Sequence, residues 1–133
     1  MITLVLILSA VFAIVAFLVT EENADSSLSG YNTLSTAEKQ QFNIKEFIPF
    51  FKKFHLLLAL SYLVISLLLI FAISSYWAKI FIVTYPLLAY IFFIWKANSF
   101  FIKRNKKQHI YSRIVECLLF IVLLVIMIQF FKN

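Results

Sequence analysis

His55, His109 and Cys117 carry the sharpest chemistry in this chain, because imidazole and thiolate bind soft divalent metals and imidazole titrates near neutrality. A transition-metal site needs three or four such ligands at close spacing, and no His/Cys/Asp/Glu set provides that. Each histidine is read as a side chain at a membrane boundary, and Cys117 as a core-filling residue. The single glycine excludes a glycine-rich phosphate loop, and no nucleophile motif is present. These residues predict no enzyme, no metal and no cofactor. The remaining reactive pair is Arg113 and Glu116, three residues apart and so on one face of a helix. Glu116 is the one acid inside an apolar run, where ionisable groups are costly and tend to mark pathways. A boundary pair that reaches water is its expected role, and a proton or ion switch is the alternative.

Those residues sit among four long apolar runs, about 2–20, 54–74, 78–96 and 114–131. Each is close to the ~20 residues that cross a hydrocarbon core. With 63% of its 133 residues hydrophobic and 14% charged, the chain reads as an all-α integral membrane protein. Four transmembrane helices are expected in a single membrane domain over 1–133, joined by a first loop at 21–53 and a basic loop at 97–113. Residues 1–20 lack a basic leading segment, and Glu21-Glu22 follow them, which argues for a retained first helix and against a cleaved signal. Sixteen phenylalanines predict packing through bulky aromatic surfaces, without the small-residue seams of tightly crossed helices.

The charge distribution predicts orientation. Ten of the twelve basic residues fall between the first and second runs or around the third loop, so the positive-inside rule puts both termini outside (N-out, C-out). The cluster Lys103, Arg104, Lys106 and Lys107 is read as a topology anchor in contact with membrane lipid headgroups. No recognition module accompanies it, so nucleic acid is not an expected partner. Pro86 predicts a kink in the third span, and Trp77 and Trp95 fit its two interfacial belts.

The first loop carries the most distinctive residues. Gly30 can take a positive φ, Asn32 can brace a turn, and Ser35 with Glu38 forms a capping box. The helix so capped is expected to run as an interfacial helix from about Thr36 toward Ile48, stopping near Pro49. Turn and helix cap explain every residue type here except Tyr31 and Thr33. That makes Gly30, Tyr31, Asn32, Thr33, Ser35 and Glu38 a candidate interaction loop.

Gly30-Tyr31-Asn32-Thr33-Leu34-Ser35, followed by Glu38-Lys39 and Phe42-Asn43, resembles the signature of a family of small bacterial multi-spanning membrane proteins of unknown function. In that family a Gly-Tyr-Asn-Thr-Met-Ser-like turn precedes Glu-Lys; here Leu34 replaces the Met. The resemblance covers the first helix, the loop and about the next two helices, and leaves the fourth run beyond it. It implies a small multi-spanning protein of the bacterial inner (cytoplasmic) membrane and no particular activity. The loop is also distantly similar to that of bacterial immunity proteins against membrane-active toxins, with Asn32 in place of an arginine. The expected function is an accessory or interaction subunit of a larger membrane protein. A self-associating transporter or channel and an immunity protein are the alternatives.

Overall fold

A computed structural model describes residues 1–28, 30–102 and 106–132, with the backbone alone for 106–109 and 131. The chain is helical: α1 (Ile2–Leu18), two short helices α2 (Ala24–Ser27) and α3 (Thr36–Lys39), then α4 (Ile44–Leu68), α5 (Ser75–Ala97) and α6 (Lys106–Lys132). No strand occurs among the described residues, only an isolated antiparallel bridge between Phe42 and Phe101. Three segments, Ile44–Ile73, Ser75–Phe100 and Ile110–Phe130, are long and apolar enough to cross a membrane. α1 is a shorter apolar helix of 17 residues, about 25 Å long at 1.5 Å per residue.

α4 is the hub. Its buried residues Phe47, Phe51, His55, Leu58, Ala59, Tyr62 and Ser66 recur every three or four positions, which gathers them on one stripe. α1 buries Val5, Ser9, Phe12 and Ala16 at the same spacing. The two helices run antiparallel, with Phe12 edge-on to Tyr62 at 5.6 Å and Val19 in one cluster with Phe47 and Phe51. α5 packs antiparallel on α4 through Phe93 against Phe51 and Tyr90 against His55. α6 then folds back along α5, with the Tyr76 hydroxyl donating to the Phe130 carbonyl at 3.0 Å. The other faces carry exposed Leu, Ile, Val and Phe side chains, the surface a multi-pass protein presents to lipid.

Pro86 lies within α5, where its missing N–H deprives the Ile82 carbonyl of its helical partner. The Tyr62 hydroxyl, fully buried on α4, donates to that carbonyl at 3.4 Å, so a neighbouring helix satisfies the freed group. Thr84 bonds instead to the Ile80 carbonyl within its own helix, at 2.8 Å.

Several boundaries differ from the expected ones. The capped helix ends at Lys39, well short of Ile48, and no interfacial helix covers 36–48. Asn43 breaks the path and caps a new helix by accepting the Glu46 N–H at 3.4 Å. The segment 44–53, expected as linker, is the start of α4, with Pro49 inside that helix. Pro49 removes the helical partner of the Lys45 carbonyl, and both residues are exposed. The turn between α4 and α5 is tighter than expected. A π-helical turn at Leu69–Ile73 closes α4, and Ser74 alone is extended before α5 begins.

Candidate functional site

The chain's polar chemistry collects at one end of the bundle, called here the loop end, which holds 19–28, 30–53, 97–102 and 106–113 among the described residues. The loop there is built from local bonds. Asn23 Nδ2 donates to the Leu18 carbonyl at 2.9 Å, closing α1, while the Thr20 N–H donates to Asn23 Oδ1 at 2.8 Å. Gly30 has φ +97°, a conformation that side chains disfavour, and a Cβ there would meet no atom within 4 Å. Backbone geometry, and not space, therefore selects glycine. Two neighbours brace the turn: the Gly30 N–H donates to Asn32 Oδ1 at 3.2 Å, and the Thr33 hydroxyl to the Gly30 carbonyl at 2.9 Å. The capping box forms as expected. Ser35 N–H donates to Glu38 Oε2 at 2.9 Å and Glu38 N–H to Ser35 Oγ at 3.4 Å.

Tyr31 has a packing role that its sequence context does not reveal. Its ring lies 5.5 Å from Phe42, and Lys39 Nζ sits 5.4 Å from its centroid while pairing with Asp25 at 2.6 Å. Phe42 carries the loop onto the α5–α6 connection. Asn43 N–H donates to the Phe100 carbonyl at 2.9 Å, and Ile102 N–H to the Gln41 carbonyl at 2.7 Å. Beneath the bridge Phe47, Phe50, Phe93 and Phe100 pack against one another at centroid distances of 5.2–6.2 Å. The loop is thereby docked on the helix ends.

Between loop, α5 and α6 lies a cavity of about 540 Å³. Its walls are mainly apolar, with Phe42, Phe47, Phe93 and Phe101 prominent, and its polar groups are those of Tyr31, Thr33, Glu38, Asn98, Tyr111 and Ser112. The Arg113–Glu116 pair stands beside it. Glu116, its side chain 12% exposed, accepts from Arg113 at 3.3 Å and from the Ser112 hydroxyl at 3.0 Å. Asn98 Nδ2 in turn donates to Ser112 Oγ, completing a polar chain from the end of α5 to the first turns of α6. A second cavity of about 230 Å³ lies along this chain, lined by Trp95, Lys96, Asn98, Ser99, Arg113 and Glu116. The fold thus brings the two candidate sites, the loop residues 30–38 and the Arg113–Glu116 pair, to the same end. Asn98 and Ser112, which join them, are absent from the sequence-derived candidates. The available signal was Ser112 and Glu116 at the i,i+4 spacing.

His55 is 2% exposed, so whatever its depth it faces the helix core. Phe51, Phe54, Tyr90 and Phe93 enclose its ring. The Phe51 carbonyl can only accept, so Nδ1 carries a proton and donates to it at 2.8 Å. In the neutral ring Nε2 then accepts from the Tyr90 hydroxyl at 3.3 Å. Both nitrogens are satisfied, which is a structural arrangement. Among the described residues no group of three His, Cys, Asp or Glu could hold a metal ion. Cys117 is exposed on α6 and fills no core. Lys103 and Arg104 lie outside the described residues; Lys106 and Lys107 begin α6, and their side chains lie outside the description.

None of the curated proteins and none of the solved structures matches the chain. A family model does: Domain of unknown function (DUF3784) matches residues 6–101, from within α1 through α5 to the bridge residue Phe101, leaving α6 outside. On that match over most of its length, the chain belongs to the DUF3784 family, whose function is unknown.

Proposed function

We propose that the chain is a four-span protein of the bacterial inner membrane, N-out and C-out, that acts by binding and not by catalysis, as the accessory subunit of a larger membrane protein. α1 is the first span; its 17 residues lie at the short end of the spanning range, about 17–25 residues. With four spans both termini share a side, and the positive-inside rule assigns the loop end to the cytoplasm.

The observation that carries the reading is the docked loop. Gly30, Asn32, Thr33 and Ser35 are exposed, while their backbone is held by local hydrogen bonds and by the Phe42–Phe101 bridge. A preorganised polar surface loses little entropy when a partner covers it. By contrast, His55 is sealed among aromatic rings. The test is gentle extraction of the tagged protein from its own membrane, with native mass spectrometry of what accompanies it. Asn32→Ala and Thr33→Ala are expected to abolish association with a larger protein while leaving membrane insertion intact. Normal association in both variants removes the loop as the docking face.

A self-associating transporter is the second reading, favoured by Glu116, an acid with little exposure within the apolar segment Ile110–Phe130. It requires that Glu116→Gln abolish flux in liposomes; flux unchanged by that substitution eliminates Glu116 as the switch.

A further inference from the structure

We propose that the 540 Å³ cavity at the loop end takes an acyl chain of a bilayer lipid, selected by its apolar length and not by its headgroup. The volume falls within the range of pockets that enclose a single small ligand, about 300–1,000 Å³. The walls decide the chemistry. Phe42, Phe47, Phe93 and Phe101 make up the apolar wall, while polar groups of the lining are already engaged within the protein. The Thr33 hydroxyl donates to the Gly30 carbonyl at 2.9 Å. Asn98 Nδ2 donates to Ser112 Oγ, and the Ser112 hydroxyl to Glu116 at 3.0 Å. Glu38 is the one charged residue among the described lining. Its Oε2 accepts from the Ser35 N–H at 2.9 Å and from the Ser35 hydroxyl at 2.8 Å, so its carboxylate serves the helix cap.

Possible occupants fare unequally against such walls. Water needs two to four polar partners per molecule, which groups bonded to one another supply poorly. An anion meets the Glu38 carboxylate and no basic side chain among the described lining. A cation would have to leave bulk water for a carboxylate already bonded to the cap, with phenylalanines around it. A hydrocarbon chain needs no polar partner and gains close contacts along the whole apolar wall. Access comes from the side. Tyr111, Ser112 and Val115 form the α6 wall, and Tyr111 is 67% exposed and Val115 44%. The cavity margin thus reaches the outer face of α6, whose segment Ile110–Phe130 is long and apolar enough to cross a membrane. A bilayer supplies acyl chains there, where water is scarce. Gly30 and Thr33, exposed in the loop, stand at another margin, where a headgroup can stay hydrated. The proposal needs the membrane-spanning reading but no protein partner, so it stands or falls separately from the docking role.

The test places the full chain in phosphatidylcholine bilayers containing phosphatidylcholine with a photoactivatable diazirine on one acyl chain, and reads the labelled residues by peptide mass spectrometry. Phe47 and Phe51 give an internal comparison. Both lie on the buried stripe of α4, at 5% and 6% exposure, and of the two Phe47 lines the cavity. Phe47 is expected to be labelled about tenfold more than Phe51. Diazirine-bearing phosphatidylglycerol should give the same ratio. Ala97→Phe, which adds bulk to the α5 wall, should bring Phe47 down to the level of Phe51 while Leu118, on the exposed face of α6, is labelled as before. Equal labelling of Phe47 and Phe51 in the unsubstituted chain overturns the site. Phe47 labelling that persists in a folded Ala97→Phe variant places the acyl chain elsewhere, and a tenfold ratio with phosphatidylglycerol alone overturns selection by apolar length. If Ala97→Phe fails to fold, the ratio of Phe47 to Phe51 in the unsubstituted chain decides by itself.

Discussion

α4 and α6 are the two longest helices, of 25 and 27 residues, and both contain segments apolar enough to cross a bilayer. Their relations to the rest of the chain are opposite. α4 touches both α1 and α5 and buries a stripe from Phe47 to Ser66, whereas α6 rests on α5 and buries little beyond Leu123. Within their most apolar windows 22% of α4 but 6% of α6 is buried by protein. Besides its packing on α5, α6 is tied by polar contacts at both ends: the Asn98–Ser112–Glu116–Arg113 chain at one and the Tyr76–Phe130 bond at the other. Hydrophobicity places a helix in lipid but does not attract it to another helix there, because lipid tails are as apolar as leucine. Aromatic packing on two sides makes α4 a scaffold, whereas α6 packs on α5 alone, with hydrogen bonds at both ends. The family match follows the same division, since it ends at Phe101 and omits α6.

The largest effect should come from Tyr62→Ala on α4. It opens a cavity where the ring was fully buried and strips the Ile82 carbonyl beside Pro86 of its donor. A loss of about 3–5 kcal/mol is expected, read as a fall in the melting temperature in detergent micelles. On α6, Glu116→Gln should cost about 0.2–1 kcal/mol, since Arg113 is largely exposed and an exposed ion pair contributes little. Its readout is local: faster backbone hydrogen exchange over 98–116, with α4 unchanged. Leu118→Ala, on the exposed face of α6, should shift stability by less than ~0.5 kcal/mol, because lipid or detergent replaces the lost methyls. If Leu118→Ala proves as damaging as Tyr62→Ala, α6 has a protein partner on that face and the contrast between the helices fails. A Glu116→Gln loss matching that of Tyr62→Ala would make the polar chain structural for the whole bundle.

Much of the loop was legible because its determinants are local. Gly30 bonds Asn32 and Ser35 bonds Glu38, each pair within three residues, and these hydrogen bonds form as the residue types require. The roles of Tyr31 and Phe42 were not legible, because Tyr31 packs on Phe42, and Phe42 in turn on Phe101 across the fold. The overextended capped helix shows the same limit: Asn43 ends one path and starts another because Phe100 takes its N–H. The burial of His55 was legible, because the stripe Phe47, Phe51, His55, Leu58, Tyr62 marks one face of α4.

The amino-acid sequence alone determined that this is a helical, membrane-spanning type of chain with a glycine-dependent turn and a capped helix start, because hydropathy, backbone freedom and capping are properties of residues and near neighbours. Only the tertiary structure decided that α4 is the hub, that Tyr62 satisfies the carbonyl Pro86 leaves open, and that loop and acid pair line two cavities that share Asn98. Those outcomes depend on antiparallel register between helices, where one turn of slippage, about 5.4 Å, would exchange every partner.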